Sequence, residues 1–301
     1  MTAYLGEIMA LATALFWAFT SVLFTKAGQR VGAQVVNRGR LLLATGLLSL
    51  AHLISQGTLF PLDVSAERWG WLGISAVIGL VAGDGLLFYA YTQIGPQLSM
   101  LLMALSPVMG TLMAWVYLGE TLRPEQIAAI LVTIGGVSWV VMKRNAPANG
   151  GKETPRHYMI GVLCGLGAAL GQAIGLVLSK EGMMGDFPAL SASLIRVAVA
   201  AAAIWIMALF QRKAYSTLVA LGDPRTFRLI ASGALVGPAI GMTLSLAAVQ
   251  LSPVGIASTL MSLSPILLIP LGHWFFQECI DAPAVMGTTI AMAGVAMLFL
   301  L

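Results

Sequence analysis

The chain has 301 residues, of which 58% are hydrophobic and only 9% are charged. About a quarter of the residues in a typical soluble domain are charged, so this composition indicates a polytopic membrane protein and disfavours the alternative, a large soluble α-helical core. The formal net charge of +4 arises from basic residues between apolar segments, which is typical of an inner-membrane protein and does not predict nucleic-acid binding.

Ten segments are long and apolar enough for transmembrane helices, each of which needs about 20 such residues. In chain order they are residues 4–25, 36–56, 68–92, 98–118, 124–142, 158–180, 190–210, 228–250, 255–276 and 283–301. The first segment has no basic region before it and is too long for the hydrophobic part of a signal peptide, so we expect the protein to keep it. The sequence predicts an all-α membrane protein with ten transmembrane helices.

A polar stretch, residues 143–157, separates five of these segments from the other five. Its prolines, glycines and charges are typical of a flexible tether. Because five is odd, the second half (residues 158–301) has to enter the membrane from the face opposite to that of the first half (residues 1–142). Two such halves form an inverted repeat around a central cavity, an architecture of many secondary transporters.

The distribution of basic residues predicts the orientation in the membrane. The loops on one side carry 12 of them, namely Lys26, Arg30, Arg38, Arg40, Lys143, Arg144, Lys152, Arg156, Arg212, Lys213, Arg225 and Arg228. The opposite side carries three, Arg68, Arg123 and Lys180. The positive-inside rule assigns the side with 12 to the cytoplasm, which predicts periplasmic termini in a bacterial inner membrane.

Trp17 lies too deep in the first segment to belong to an interfacial aromatic belt. Gln172 occupies the corresponding place in the sixth segment. A ring in one half and an amide in the other suit a cavity in which a solute stacks on Trp17 and hydrogen-bonds to Gln172. The alternative is that Trp17 is a packing or lipid-facing residue.

Asp84 lies well inside the third segment. A charged side chain at that depth costs about 2.5–3.5 kcal/mol on insertion scales and must face a partner or water. Phe88 and Tyr91 share its helical face. Asp84 therefore predicts either a site for a solute amine or a coupling proton, or a structural hydrogen bond to a neighbouring helix.

Residues 102–120 recur as residues 260–278, at an offset of 158, and six of the 19 positions are identical. Self-similarity at this spacing indicates two related halves. Pro107 and Pro265 lie at equivalent places inside the fourth and ninth segments, where each predicts a kink that shapes the helix around a cavity. Glu120 and Glu278 end the two copies and are expected to be solvated or capping acids.

Residues 103–120 have a proline early in the segment and the pair Gly119-Glu120 at its end, and they resemble the signature of EamA domains in the drug/metabolite transporter superfamily. The second copy keeps Pro265 and Glu278 but has Gln277 in place of Gly119. The resemblance covers nearly the whole chain as two EamA units and implies export of amino acids and related metabolites. Among members, the chain is most similar to YddG-type exporters of aromatic amino acids.

Further residues on apolar segments are candidates to line the cavity: Met103, Ser106, Ser245, Ser262 and His273. His273 is alternatively a hydrogen-bonded packing residue. The histidines and the two cysteines show no ligand spacing, so no metal, disulfide or cofactor is predicted. No nucleophile, zinc or phosphate-loop motif is present, so the protein is not expected to be an enzyme.

The residues alone predict an inner-membrane secondary transporter of a small, fairly apolar solute that works by alternating access. The resemblance adds that it is expected to export aromatic or hydrophobic amino acids and related small metabolites. An exporter of other metabolites or drugs and a passive channel-like facilitator are the alternatives. Carriers of phosphorylated solutes would need inward-facing basic residues, and the only candidates, Lys180 and Arg196, are expected near segment ends. The expected partners are a small solute and the lipid bilayer, without nucleic acid, and the sequence is compatible with a monomer.

Overall fold

The structure is a computed structural model that describes residues 4–117, 123–143, 155–185, 187–251, 260–277 and 282–300. The regular structure in these ranges is helical throughout. The first half contains α1 (Leu5–Val31), α2 (Ala33–Gln56), α3 (Ala66–Ala76), α4 (Asp84–Met103), α5 (Ser106–Tyr117) and α6 (Pro124–Lys143). A π-helical stretch, Val77–Gly83, joins α3 to α4 and is called the first π segment below.

The second half repeats this order with one additional short helix. Its helices are α7 (Pro155–Gly182), α8 (Ala189–Phe210), α9 (Ala214–Leu221), α10 (Pro224–Ala234), α11 (Met242–Leu251), α12 (Ser264–Phe276) and α13 (Ala282–Leu300). The second π segment, Leu235–Gly241, joins α10 to α11. Glu120, Glu278 and most of the predicted tether lie outside the described residues.

Six described stretches are long and apolar enough to cross a membrane: Leu5–Val31, Ala66–Met103, Pro124–Lys143, Arg156–Ser179, Ala189–Phe210 and Pro224–Ser245. Two shorter apolar helices are Ser264–Phe276 and Ala282–Leu298. The chain thus has the make-up of a multi-pass helical membrane protein, and the count of ten spans stays a prediction. α2 coincides with the predicted second segment but is more polar, since it buries Arg38, Arg40 and His52.

The predicted fourth segment, residues 98–118, is divided in the structure. Gly95 leaves the helical region with φ 78°, α4 ends at Met103, and a turn precedes α5. Pro107 and Pro265 therefore lie in the first turns of α5 and α12. Each proline starts a helix after a break instead of kinking a continuous one. A proline is well tolerated at this place because the N–H that it lacks would have no partner within the helix.

The two halves enter the helical bundle from opposite faces. Gly28, near the end of α1, lies beside Thr92 of α4. Two residues further along α4, Ile94 lies beside Gly161, near the start of α7. The end of α1 and the start of its counterpart α7 are therefore on the same side, so the two helices run in opposite directions.

A contact between α6 and α13 shows how the halves are related. Gly136 of α6 lies against the backbone of Ala291 of α13, and Gly294 lies against the backbone of Thr133. Gly294 is 158 residues after Gly136, and Ala291 is 158 residues after Thr133, so each contact is the repeat equivalent of the other, as at a twofold axis. A side chain at either glycine would overlap the facing backbone, which means that the two helices touch without intervening side chains.

The two π segments are also 158 residues apart, and each packs on the first helix of the opposite half. In the first π segment, Gly79 and Gly83 face Gly175 and Gly171 of α7. A Cβ placed on Gly175 would lie 3.1 Å from the Cα of Gly79. The backbones of the π segment and α7 therefore approach closely, as small residues allow in a membrane.

In the second π segment, Gly237 faces Thr20 of α1, and Gly241 faces Phe16. Thr20 therefore takes the place that Gly175 has in the other interface, and Phe16 takes that of Gly171. Equivalent residues of α1 and α7 are thus 155 residues apart. Trp17 and Gln172 are related by the same offset and thus occupy equivalent positions in the two halves.

Candidate functional site

A cavity of about 400 Å³ lies between the two halves and is lined by residues of both. This volume falls within the usual range for small-molecule sites, about 300–1,000 Å³. The residues singled out in the sequence that line it are Trp17, Asp84, Phe88, Tyr91, Met103, Ser106, Pro107, Gln172, Ser245, Ser262 and Pro265. The helix breaks before α5 and α12 bring both prolines to its wall.

His273 does not line this cavity, in contrast to the expectation from its position in an apolar segment. α12 turns Ser264, Pro265 and Leu268 inward, whereas His273 is exposed on its outer face. The buried residues of α12 are Ser264, Pro265, Leu268, Leu271 and Gly272, so the face that the helix buries does not include residue 273.

Asp84 is buried at the junction of the first π segment and α4. Its Oδ2 accepts a hydrogen bond from Nη2 of Arg40 in α2, and the two groups form an ion pair. Its Oδ1 accepts a 2.5 Å hydrogen bond from Nε2 of Gln172 in α7. Both carboxylate oxygens thus have protein partners, and this geometry favours the structural role for Asp84 over binding of a solute amine.

Arg40 is held by its own surroundings as well as by Asp84. Its Nε donates a 3.1 Å hydrogen bond to Oδ1 of Asn37, whose Nδ2 donates to the carbonyl oxygen of Leu80 at 3.1 Å. The guanidinium lies 4.9 Å from the ring centroid of Phe88, a cation–π distance. The first π segment supplies the Leu80 carbonyl, so it anchors one end of a buried polar network that continues to Asp84 and Gln172.

Aromatic and sulfur-containing side chains form an apolar wall beside this network. The rings of Phe24 and Phe88 are tilted at 60° with centroids 5.2 Å apart, and Phe88 and Tyr91 follow at 5.7 Å. The hydroxyl of Tyr91 donates to Sδ of Met100 at 3.1 Å. Such ring pairs contribute about 0.5–1.5 kcal/mol beyond the burial of their area, so the wall is a fixed surface on which a flat solute can stack.

The second half contributes a guanidinium that the sequence did not place in the cavity. Arg196 of α8 lines it, as does Arg40, although Arg196 was expected near a segment end and Arg40 was counted among the loop residues. Arg196 follows Arg40 by 156 residues, between the offsets of 155 and 158 that relate the neighbouring helices. Both arginines line the cavity, and at this offset they are repeat equivalents. The offset of 158 residues in the sequence would instead pair Arg196 with Arg38, which is not among the cavity residues.

The two arginines differ in their partners. Among the described residues, the side chain of Arg196 has no hydrogen-bond partner, and its buried Nε is left unpaired. Asp84 attracts it electrostatically without a direct bond. The residue equivalent to Asp84 in the second half is Met242, which also lines the cavity. The cavity therefore has one ion pair and one guanidinium without a matching acid.

The chemistry of this site is that of binding. In the part of the chain that the structure describes, no three His, Cys, Asp or Glu side chains come together as metal ligands. The cavity lining combines aromatic rings, methionines, serines and two guanidiniums with one carboxylate. Such a lining can hold a small solute by stacking, hydrogen bonds and charge.

Comparisons with known proteins agree with the repeat. A family model described as the EamA-like transporter family matches residues 4–142 and residues 159–300. A solved chain described only as the crystal structure of a protein superposes with a TM-score of 0.64 and 17% identity, over 97% of this chain and 94% of its own. That likeness concerns the fold alone. No curated protein sequence matches the chain.

Proposed function

The chain belongs to the EamA-like transporter family, and from this membership we propose that it is an inner-membrane secondary transporter that exports small metabolites, aromatic and hydrophobic amino acids foremost. The family places it among the membrane transporters of the drug/metabolite superfamily. The observation that carries the finer proposal is the cavity of about 400 Å³ between two inverted halves, with the aromatic wall of Phe24, Phe88 and Tyr91 beside a polar network.

The solute class follows from the lining of this cavity. An aromatic or branched side chain fits against the rings and methionines, because burial of apolar area contributes about 25 cal/mol per Å². The hydroxyls of Ser106, Ser245 and Ser262 and the charged groups can take the polar end of the molecule. An amino acid has both kinds of surface in one small body.

Alternating access is proposed from the inverted arrangement of the halves. In transporters of this kind, one half rocks against the other around a site near the middle of the bilayer. The close contact of the first π segment with the backbone of α7, and of the second with side chains of α1, offers surfaces for such a movement. A channel-like facilitator is the alternative, in which the path would stay open from both sides.

Reconstitution into liposomes tests the proposal. We expect uptake of labelled L-phenylalanine to saturate with concentration. Unlabelled L-phenylalanine on the opposite side of the membrane should accelerate this uptake. His273→Gln, outside the cavity, should retain this exchange and serves as the matched control. Flux that rises linearly with concentration and ignores the opposite side would indicate a channel, and an absence of flux for all amino acids would contradict the proposed solute class.

The proposed orientation keeps the termini in the periplasm, with a revised charge count. Arg38 and Arg40 are buried within α2, so they no longer count as loop residues. Ten basic residues then remain on the proposed cytoplasmic side against three on the other, which leaves the positive-inside argument intact. Alkaline phosphatase fused after Leu301 should be active and green fluorescent protein there should be dark, and the reverse pattern would contradict this orientation.

A further inference from the structure

We propose that Arg196 binds the carboxylate of the transported solute, and that this carboxylate occupies the place of the acid that the second half lacks. The proposal rests on the proposed transport function and names the chemical group that the cavity selects. The solute is accordingly a small carboxylate with an apolar body, whether or not it also carries an amine.

The two halves place an arginine at equivalent positions but differ in its partner. In the first half, Arg40 reaches Asp84, and the two charges neutralise each other. In the second half, Arg196 takes the position of Arg40, but Met242 takes that of Asp84. The fold thus presents the same guanidinium twice and the matching carboxylate once.

Leaving the guanidinium of Arg196 without a counter-charge costs free energy. A buried charge without a counter-charge is strongly unfavourable in a low-dielectric environment. Among the described residues, Arg196 has no hydrogen-bond partner. Asp84, which attracts it electrostatically, already accepts hydrogen bonds from Arg40 and Gln172. A carboxylate that enters the cavity would remove this cost on binding, which gives the site affinity for that group in particular.

The shape of the Arg196 side chain suits a carboxylate. A guanidinium presents a planar fork of N–H donors that matches the two oxygens of a carboxylate. Arg196 lines the same cavity as Phe24, Phe88 and Trp17. A molecule whose carboxylate lies at Arg196 can therefore place an aromatic or aliphatic body against those rings within one cavity.

Three probes of similar shape separate the charges: 3-phenylpropionate has only the carboxylate, phenethylamine only the amine, and L-phenylalanine both. Calorimetric titration of the purified full-length protein should show binding of 3-phenylpropionate and L-phenylalanine, with phenethylamine weaker by roughly 10- to 100-fold, as expected for hydrogen bonds to a charged group. Equal affinity for the acid and the amine would overturn the proposal, as would no binding of any probe at millimolar concentration.

Variants then assign the effect to Arg196. Arg196→Gln should weaken binding of 3-phenylpropionate by roughly 10- to 100-fold and leave phenethylamine little changed. Arg196→Lys keeps the charge but not the planar fork of donors, so its affinity for 3-phenylpropionate should lie between those of the wild type and Arg196→Gln. If Arg196→Gln retains the preference for the carboxylate, the proposal is wrong and another group selects it.

Met242→Asp provides an independent test that adds a group instead of removing one. The new carboxylate should pair with Arg196, and this pairing should raise the melting temperature and lower the affinity for 3-phenylpropionate. The matched control Met242→Leu should change both quantities much less. A Met242→Asp protein that binds 3-phenylpropionate as wild type does would contradict the proposal. Selective, Arg196-dependent binding without any flux in liposomes would uphold this assignment and overturn the transport function alone.

Discussion

The centres of the two halves share a scaffold and differ in charge. In the first half, Arg40 and Asp84 form a buried ion pair tied to α7 through Gln172. In the second half, Arg196 and Met242 occupy the same positions without a pair. The backbone around both is alike, since each centre follows a π segment that packs on the first helix of the opposite half.

This difference indicates which positions serve the fold and which serve the solute. The repeat-equivalent glycines Gly79 and Gly237 both face the first helix of the opposite half, Gly79 at the backbone of Gly175 and Gly237 at the side chain of Thr20. Two pairs that differ between the halves, Gln172 against Trp17 and Asp84 against Met242, line the cavity. Symmetric positions thus maintain the inverted architecture, and the departures from symmetry give the cavity two chemically distinct ends.

The largest expected effect comes from breaking the one buried pair. Asp84→Asn leaves the guanidinium of Arg40 buried without its counter-ion, and loss of one partner of such a pair costs about 3–5 kcal/mol. Arg196→Gln, the equivalent charge in the other half, should cost much less because it has no direct partner to orphan. The measurement is the free energy of unfolding in detergent for each variant.

A double variant, Arg40→Gln with Asp84→Asn, serves as the control for this prediction. It removes both charges, so it should be less destabilising than the sum of the two single changes. Strictly additive effects would mean that the two side chains do not stabilise each other, and the contrast between the halves would lose its basis.

The second prediction compares the two π segments. Gly237→Ala should destabilise by about 1–3 kcal/mol through overpacking, since the new methyl group would lie 2.7 Å from Cγ2 of Thr20. Gly79→Ala is the matched control, because its methyl group would find no atom closer than 3.5 Å. Thermal unfolding of both variants measures the difference, and equal losses would show that the two interfaces are packed alike.

The third prediction concerns the aromatic end of the cavity. Trp17→Ala should weaken the binding of an aromatic amino acid by about 0.5–1.5 kcal/mol more than that of an aliphatic one, because only a ring can stack on Trp17. Competition of L-phenylalanine and L-leucine against a labelled solute in liposomes provides the ratio. A uniform loss for both would identify Trp17 as a packing residue. Gln172→Leu should affect both amino acids alike, since it also removes the hydrogen bond to Asp84.

The smallest expected effect distinguishes the two helix caps that precede the π segments. Ser65 caps α3 by accepting from the backbone N–H of Arg68, and Asp223, 158 residues later, caps α10 by accepting from that of Thr226. The hydrogen bonds from the hydroxyl and backbone of Thr226 hold the pKa of Asp223 below its usual value. A lowered pKa in the folded state means that the cap stabilises at neutral pH and that this contribution is lost as the pH falls below about 4.

Asp223→Ser converts the charged cap into the neutral kind found in the first half. The melting temperature of this variant should therefore depend less on pH between about 5 and 3 than that of the wild type. Identical pH profiles would show that the charge of Asp223 does not contribute to stability in this range.

Sequence reasoning reached much of the cavity through two signals. The offset of 158 residues related the halves, and helical periodicity placed Asp84, Phe88 and Tyr91 on one face, which lines the cavity in the structure. It missed Arg40 and Arg196 because charged residues near the ends of apolar segments resemble loop residues. Arg40 lies within the predicted second segment, residues 36–56, but was counted as a loop residue, whereas the structure buries it in α2.

Other features were beyond the reach of a pattern. The π segments contain the same residues as any glycine-rich transmembrane helix, so only the backbone reveals them. The division of the fourth segment before Pro107 depends on the turn at Ala104 and Leu105, where no strong breaker stands. The partner of Asp84 depends on how three helices meet, which periodicity along one helix does not describe.

The contact between α6 and α13 has a consequence for biosynthesis. Gly136 rests on Ala291, 155 residues later in the chain. At a synthesis rate of about 5–20 residues per second, the ribosome needs roughly 8–30 s after making Gly136 before its partner exists. During that time the glycine face of α6 lacks this partner, and α13 then completes the first half together with the second.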